Sequence, residues 1–530
     1  MRAKTFLIIT FVLFIIISFV SLPHNPLIND DATMYAVAIR NTIHFNEWLA
    51  PLITPGDMTS FLDKPPLGIW LLSIIPKLGG VNEVTIHISN VVYYTLMIGF
   101  LYVFLLKKRH RRIALYSALT LATSMTMILF ARTPKLDILI AFGIMMSHLF
   151  IFQYIKKRQI RYLYYFTISV AMGVLIKSGF AIIMPGLTLL SLIILNKSAR
   201  GSFFKIIGTK HFYLCLILLL AILSVGLGVQ YFAYQDLFSI YLKSIFIHSK
   251  YNTSYFGFGF NKPVILFMLI SIFPWTPLFI TSINFRFKFN QPLTLRYFSA
   301  VWLLSNFFFL LLFFNQTDIR TFTMLIVPMS ILVAYKLVSI QVFNKKRLVE
   351  SIWAIFFVLI FAILIVSILK NPLNASGFDQ RSILISLSFF VISEIIMVFY
   401  LVKPNASRYG ILFFSVCLSY VILFYQTSII ANAFNPYIKW TDVISNEKKK
   451  GKQFVIYRPI GRELRMSSDL CYLDFKSGLA DIYIWQRDDM IMLIKQGGVV
   501  VLTDNGSFAD LSSSGNVLVQ DKYSTIVSID

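Results

Sequence analysis

The chain has 530 residues, of which 57% are hydrophobic and 16% aromatic, and its mean hydropathy is +0.74. Only 14% of the residues are charged, against about 25% in soluble domains, which excludes a purely soluble protein and predicts one that crosses a membrane many times. The net charge of +24 would indicate nucleic-acid binding in a soluble protein, but the basic residues lie mainly in short loops between apolar runs, so membrane topology accounts for them and no nucleic acid is expected.

Apolar runs long enough to cross a bilayer recur along most of the chain. A span needs roughly 17–25 mostly apolar residues, and we predict about thirteen spans, to within one or two because the fifth and sixth are short. The first run is not followed by a cleavage site, so it is predicted to remain as a signal anchor. The predicted spans are 5–22, 85–106, 113–130, 135–155, 161–176, 180–196, 211–233, 262–284, 297–314, 320–341, 349–369, 382–402 and 409–430.

The loops between these spans alternate in charge, and this alternation predicts the orientation. If the N-terminus is cytoplasmic, every inside loop is basic and the outside loops hold few basic residues each. We therefore predict a multi-pass membrane protein with a cytoplasmic N-terminus, whose first long loop and C-terminal segment lie on the extracytoplasmic side. The predicted inside loops are 107–112, 156–161, 196–210, 284–296, 344–347 and 403–408.

The first outer loop is too rich in specific polar groups to be a plain connector. Asp30 and Asp31 follow the first span directly, and Asp63 and Lys64 precede an apolar turn that predicts a helix on the membrane interface. Ionisable groups near hydrocarbon are costly and are usually functional, so this loop is a candidate reaction centre. From residue types alone, ordinary loop charges that face water are an equally good interpretation.

Further ionisable residues fall at the same predicted boundary. Taken singly, the arginines could snorkel and the aspartate could cap or pair locally. Their gathering on one leaflet is harder to attribute to chance and favours a shared site. These residues are Arg132, Asp137, Lys177, His248, Lys250, Asp318 and Arg320.

The character of the chain changes after the last predicted span. Residues 431–530 combine strand-like runs with a predicted helix at 481–498 and predicted paired strands at the end, which indicates a small α/β domain outside the membrane. This segment has no phosphate-binding loop and no nucleophile elbow, so a lid or docking domain is favoured over a second active site. The predicted fold class is therefore an all-α polytopic membrane protein, with a transmembrane domain at 1–430 that includes a catalytic outer loop at 28–84, and an extracytoplasmic α/β domain at 431–530.

The predicted reaction class rests on the lack of nucleotide-binding motifs and on a site predicted to lie outside the cytoplasm. No Walker loop or dinucleotide fingerprint is present, so no nucleotide cofactor is expected. A donor used where nucleotides are scarce would be carried by a lipid, as a polyprenyl phosphate bearing a sugar, and cations would hold its phosphate. Lys64, Lys177 and Lys250 could supply these cations, and Asp31 could accept a proton from an attacking hydroxyl or orient a phosphate nucleophile.

Several segments in the outer loops and at the ends of the spans form a recognisable pattern. They are Asp31-x3-Tyr35-Ala36, Glu47-Trp48, Leu62-Asp63-Lys64-Pro65-Pro66-x3-Trp70, Arg132-x4-Asp137, Lys177-Ser178-Gly179 with Pro185-Gly186, and His248 with Pro274-Trp275 and the later run TDIRTFTMLIVPMSILVAY. This pattern resembles the polyprenyl-phosphate-dependent glycosyltransferases of GT-C fold, and it is most similar to the lipid A aminoarabinose transferases, relatives of the protein O-mannosyltransferases. The resemblance covers most of residues 1–340 and is most specific in the first outer loop.

The resemblance implies a role for each matching residue. The implied catalytic carboxylates are Asp31, with Asp30 as its neighbour, and Asp137; the implied donor-phosphate ligands are Lys64, Lys177, Lys250 and Arg132; the implied substrate contacts are Tyr35, Trp70 and Arg320. Asp63 and His248 match a metal site of that branch, which implies a divalent ion, either Zn or Mg/Mn. The branch has Glu where Asp63 stands and Arg where Tyr251 stands, and both departures affect the sugar and the metal more than the reaction class.

The predicted function is transfer of a sugar from an undecaprenyl-type phosphate donor to lipid A or another envelope glycolipid at the periplasmic face. The expected partners are this donor, this acceptor and membrane lipids. A protein O-glycosyltransferase of the same fold is the alternative within the class, and a transporter or flippase for a lipid-linked sugar is the alternative outside it. Transporters place polar sites near the bilayer midplane in repeated halves, and no internal repeat is evident here. A structural role centred on the outer domain would leave the one-sided charges unexplained.

Overall fold

The protein is described by a computed structural model over most of its N-terminal two thirds and part of its C-terminal third. The residues described are 31–53, 64–106, 111–235, 238–239, 242, 257–283, 291–314, 318–342, 413, 416, 437–457, 475, 480, 482–484, 487–504, 515–520 and 524–529. The predicted spans at 5–22, 349–369 and 382–402, and nearly all of 409–430, fall outside these residues. The chain divides into a helical unit, Met1–Leu22, Asp63–Gly68 and His87–Thr427, and a mixed unit, Pro23–Leu62, Ile69–Ile86 and Ser428–Asp530.

Helices account for most of the described chain, because backbone groups surrounded by lipid must be satisfied within their own segment. Up to residue 342 the helices are α1 Asp31–His44, α2 Leu67–Gly79, α3 Glu83–Leu106, α4 Arg111–Ala122, α5 Met125–Ala131, α6 Asp137–Lys157, α7 Arg161–Ile176, α8 Phe180–Leu195, α9 Lys197–Ile207, α10 Lys210–Tyr234, α11 Pro263–Ser271, α12 Thr276–Ser282, α13 Leu295–Phe313, a short 3-10 turn Ile319–Phe322, and α14 Thr323–Val342.

The predicted class of helical multi-pass membrane protein is confirmed. Among the described residues, five helices are long and apolar enough to cross a membrane, or up to eight if each bent pair is one span. The figure of about thirteen spans stays a prediction. The predicted helix after Lys64 is also found, as α2.

Two spans predicted to be continuous are broken, and the prediction was wrong in this respect. The span predicted at 113–130 bends by 61° between α4 and α5, where the hydroxyls of Thr123 and Ser124 donate to the carbonyls of Leu119 and Thr120 and so compete with helical bonding. The span predicted at 262–284 bends by 110° between α11 and α12. Pro274 lies at that break and has no N–H to continue a helix.

The interior of the helical unit is built around α14, which packs against α4, α6, α12 and α13. Large side chains such as Trp275 and Trp302 are fully buried there. His148 stacks on Trp302 with ring centroids 4.0 Å apart, and its Nε2 lies 3.0 Å from the Thr188 hydroxyl. Side-chain hydrogen bonding thus joins α6 to α8 inside the apolar interior, where water is not available to satisfy these groups.

The mixed unit contains a five-stranded sheet near the C-terminus. The strands are β1 Gln453–Tyr457, β2 Ile482–Ile484, β3 Val499–Asp504, β4 Asn516–Gln520 and β5 Ser524–Ile529, in the order β2-β1-β3-β5-β4. β1 pairs in parallel with β2 and β3, whereas β5 pairs antiparallel with β3 and β4. Two helices accompany the sheet, α15 Tyr437–Lys449 and α16 Arg487–Gln496.

The strands predicted at the end of the chain are confirmed by the pairing of β4 and β5. The helix predicted at 481–498 was too long, because its first part forms β2 and only Arg487–Gln496 is helical. Ile482, Tyr483 and Ile484 are β-branched or aromatic residues, which favour a strand, and parallel pairing with β1 outweighs the helical pattern that follows them.

Glu447 fastens the end of α15 to the sheet. Its Oε1 accepts from Lys450 Nζ at 2.5 Å, and its Oε2 accepts from Lys452 Nζ and Ser528 Oγ, each at 3.1 Å. The hydrogen bond from Lys450, followed by those from Lys452 and Ser528, lowers the pKa of Glu447 to about 2 and outweighs the burial that would raise it. The carboxylate therefore stabilises the folded mixed unit in its charged form.

Stability of the sheet is expected to depend on this carboxylate in acid. Because the folded pKa is below the unfolded value of 4.5, the contribution is fully present above pH 4.5 and is lost as the pH falls from 4.5 toward 2. Glu447→Gln should lower the free energy of opening of the β5 amides, measured by hydrogen exchange at pH 7, by about 2 kcal/mol. Asp442→Asn, a change at an exposed acid on the same helix, is the control. Equal protection in the two variants would contradict the assignment.

Candidate functional site

An ion pair at one end of the helical unit is the centre of the candidate site. α6 and α7 are neighbours joined by a short connection at 158–160, so the first residue of α6 and the residue after α7 lie at the same end. The Lys177 Nζ donates to Asp137 Oδ1 at 2.5 Å, and the two side chains are 16% and 3% exposed. Asp137 also begins a helix, where the helix dipole favours negative charge. The contact brings two of the predicted site residues together, and their place at the membrane boundary stays a prediction.

Positive charge exceeds negative charge around this pair. Burial lowers the pKa of Lys177, Asp137 opposes this effect, and the charges of Arg320 and Lys64 are near enough to lower it further. Arg320 in turn contacts Asp318 at 3.1 Å in a pair that is partly exposed. Among the described residues, three cations thus lie near two carboxylates, of which only Asp137 is deeply buried. This excess of positive charge attracts an anion such as a phosphate.

Arg132 lies on the connection that leads into Asp137. It follows the last residue of α5 directly, and its side chain is almost fully buried. Burial lowers the pKa of Arg132 to about 10, so the guanidinium stays charged at neutral pH. A permanent, sheltered cation is therefore held a few residues before the start of α6.

The first helix of the mixed unit, α1, carries Asp31, a second predicted catalytic carboxylate. Asp31 is the first described residue and begins α1, where its carboxylate is stabilised by the helix N-terminus. Tyr35 is buried one turn later, on the same side of the helix. These two residues therefore share one helix face.

Trp70 has a defined structural partner. Its Nε1 donates to the backbone carbonyl of Trp48 at 2.6 Å, and Lys77 Nζ lies 4.6 Å from the centre of the Trp48 ring. The segment that contains Trp48 is thereby tied to α2. The predicted role of Trp70 in substrate binding stays a prediction.

Arg40 and Asn41 are two polar residues of α1 that sequence reasoning missed. Both are buried, and Arg40 donates to Asn41 Oδ1 at 3.0 Å from Nη2. Asn41 Nδ2 donates to the carbonyls of Leu52 and Ile53, at 3.3 and 2.9 Å. Two adjacent polar residues in an otherwise apolar stretch were the available signal, and they fasten α1 to the following segment.

The predicted site residues therefore fall into three groups. The helical unit holds Lys64, Arg132, Asp137, Lys177 and Arg320, and the mixed unit holds Asp31, Tyr35 and Trp70. The predicted residues outside the described part of the chain are Asp30, Asp63, His248 and Lys250.

The predicted metal site cannot be built from the described residues. Where the structure describes the chain, no group of three or more His, Cys, Asp and Glu side chains is placed to hold a metal ion. Both proposed ligands, Asp63 and His248, lie outside those ranges. A divalent metal therefore stays a prediction.

Comparison with known proteins adds family and fold information. The model of the dolichyl-phosphate-mannose-protein mannosyltransferase family matches residues 63–227. This range contains Lys64, Arg132, Asp137 and Lys177. A curated relative from Wigglesworthia glossinidia brevipalpis, an undecaprenyl phosphate-alpha-4-amino-4-deoxy-L-arabinose arabinosyl transferase, is 20% identical over 354 residues. The alignment covers 64% of this chain and 60% of the relative.

Two solved structures match along almost the whole chain. Both are of ArnT from Cupriavidus metallidurans, and each match covers 99% of this chain and 98% of the other. The apo structure gives a TM-score of 0.72 at 15% identity, and the structure bound to undecaprenyl phosphate gives 0.74 at 14% identity. The likeness establishes a shared fold.

Proposed function

Because the chain has the GT-C fold of the lipid A aminoarabinose transferase-like family, we propose that it is an integral membrane glycosyltransferase. It moves a sugar from a polyprenyl phosphate donor to lipid A or another envelope glycolipid. The curated relative is named for an undecaprenyl phosphate sugar, and one of the matching structures holds undecaprenyl phosphate. The same class of donor is proposed for this chain.

The observation that carries the proposal is the group of cations around the Lys177–Asp137 pair. A leaving polyprenyl phosphate gains negative charge as the bond from the sugar carbon to the phosphate oxygen breaks. Lys177, Lys64 and Arg320 provide positive charge in a partly dry setting, where it stabilises developing negative charge more strongly than in water. Asp137 holds the Lys177 ammonium in place and favours its charged form.

The acceptor side of the reaction is assigned to Asp31 by the family resemblance. When the acceptor is a hydroxyl, the Asp31 carboxylate takes its proton as the oxygen attacks the sugar carbon. When the acceptor is a phosphate, no proton has to leave, and the carboxylate orients the attacking group. In both cases the phosphate leaves with the electron pair of the broken bond.

The location and domain roles are part of the same proposal. Loop charge supports an inner-membrane protein with a cytoplasmic N-terminus and a periplasmic site. Residues 1–430 form the transferase domain, and 431–530 form a periplasmic lid or docking domain. A divalent ion held by Asp63 and His248 belongs to the proposal only as an implication of the family resemblance.

A second candidate is a protein O-glycosyltransferase of the same fold. It is favoured by the match to the mannosyltransferase family model over residues 63–227. The two candidates use the same class of donor and differ in the acceptor, so one assay with two acceptors separates them.

The proposal is tested with the full chain, purified and reconstituted in lipid vesicles with a polyprenyl phosphate that carries radiolabelled aminoarabinose. Lipid A and a serine-rich peptide are offered as acceptors in parallel. Label in lipid A is the expected result, and label in the peptide would favour the second candidate. Label that crosses the bilayer while still attached to its lipid carrier, with no new product, would identify a transporter and overturn the proposal.

A further inference from the structure

Two polar residues near the start of α3 point to the connection that carries Arg132. His87 is fully buried, and its Nδ1 lies 2.6 Å from the backbone carbonyl oxygen of Arg132. A carbonyl can only accept, so Nδ1 must carry the hydrogen of this bond. The contact joins α3 to a residue 45 positions later in the chain.

Asn90 lies three residues after His87 and so shares its helix face. It is also fully buried. Its Nδ2 donates to the carbonyl of Thr133, to that of Lys135 at 2.7 Å and, at 3.4 Å, to that of Phe130. Together the two side chains reach three carbonyls of the 132–136 connection and one near the end of α5.

The connection needs such donors. Residues 132–136 leave one helix and enter the next, so their carbonyls are not all served by helical bonds, and a buried carbonyl without a donor is costly. Asn90 meets this need, although its own Oδ1 is buried and has no hydrogen-bond partner among the described residues.

The connection also carries the candidate site. Arg132 begins it, and Asp137, which binds Lys177, follows it at the start of α6. A shift of the connection would move both ends together, and a displacement of about 1 Å in a catalytic arrangement can cost about 100-fold in rate.

We propose that His87 and Asn90 are positioning residues of the donor-phosphate site. They hold the 132–136 connection through its carbonyls, and the connection in turn fixes Arg132 and the Asp137–Lys177 pair. This inference rests on the proposed function for its effect on catalysis, whereas the hydrogen bonding it describes is independent of that function.

The test uses three variants at His87, the variant Asn90→Leu and one control on the same helix. His87→Leu and His87→Ala remove the N–H donor, and His87→Asn restores a donor at nearly the position of Nδ1. The control is Tyr94→Phe, because Tyr94 is equally buried and its Oη donates to the carbonyl of Leu121 at 2.6 Å. The control loses a bond of the same kind from the same helix, but the bond goes to α4.

Two measurements are made on the full chain in vesicles. His87→Leu is expected to lower the turnover number about 10- to 100-fold with a smaller change in donor KM, and His87→Asn to recover most of it, while Tyr94→Phe stays within about twofold of the wild type. Hydrogen exchange of the backbone amides in 132–136, all residues there except Pro134, should accelerate in His87→Leu and in Asn90→Leu, but not in Tyr94→Phe.

The outcomes separate this inference from the proposed function. Exchange in His87→Leu equal to that in Tyr94→Phe would overturn the positioning role, as would a turnover number that His87→Asn fails to recover. A wild-type chain that transfers no label would overturn the proposed function, and the exchange measurement would still decide whether His87 and Asn90 hold the connection.

Discussion

Asp31→Asn is expected to lower the rate of sugar transfer by about 100- to 10,000-fold, the range attributed to a positioned acid or base. The amide keeps the shape of the carboxylate, but it cannot take a proton from a hydroxyl or orient an acceptor by charge. Because Asp31 begins α1, loss of its interaction with the helix dipole is expected to cost stability only about 0.5 kcal/mol. Initial rates in the vesicle assay, together with the melting temperature, measure both effects.

Two further variants make this result specific. Asp31→Glu returns a carboxylate and should recover part of the rate. Asp30→Asn tests whether the neighbouring acid is the essential one instead. Transfer by Asp31→Asn at the wild-type rate would remove Asp31 from the mechanism.

Replacing either partner of the Asp137–Lys177 pair is expected to cost both stability and transfer. Lys177→Met leaves a carboxylate that is only 3% exposed without its cation, and breaking one side of a buried pair costs about 3–5 kcal/mol. Asp137→Leu leaves the Lys177 ammonium uncompensated and should cost a similar amount. Transfer should fall at least about 100-fold in both variants, since an oriented cation is lost from the donor-phosphate site.

The double variant separates the two roles. Lys177→Met with Asp137→Leu replaces the ion pair by apolar groups of similar size, a change that is often neutral for stability. Its free energy of unfolding should therefore return to within about 1 kcal/mol of the wild-type value, while transfer stays lost. A double variant that regains both stability and transfer would show that the pair has no part in the reaction.

The helices were predictable because lipid allows few alternatives. A long apolar run must satisfy its own backbone, so runs such as 85–106 and 297–314 could be assigned as helices from composition alone. The breaks within 113–130 and 262–284 were not predicted, because they depend on local competition at Thr123 and Ser124 and on Pro274. Apolar content averaged over a window does not detect either effect.

Residues of the candidate site could be chosen from the sequence more readily than the contacts that hold them in place. Lys177 and Asp137 were assigned to one membrane boundary, and the short connection between their helices makes them meet. His87 and Asn90 were missed, because two polar residues in the first turns of an apolar run look like ordinary helix-end residues. Their partners are carbonyls 40 to 45 positions away. Every residue has a backbone carbonyl, so the sequence does not indicate which of them accepts a side-chain hydrogen bond.

The most direct measurement of the central claim follows both products of the vesicle reaction at once. Labelled sugar in lipid A and free polyprenyl phosphate should appear in equal amounts with the wild-type chain. Neither should appear with Lys64→Met, in which the proposed phosphate ligand is lost. Free polyprenyl phosphate without labelled acceptor, or labelled acceptor formed equally well by Lys64→Met, would contradict a transferase that works through this cationic site.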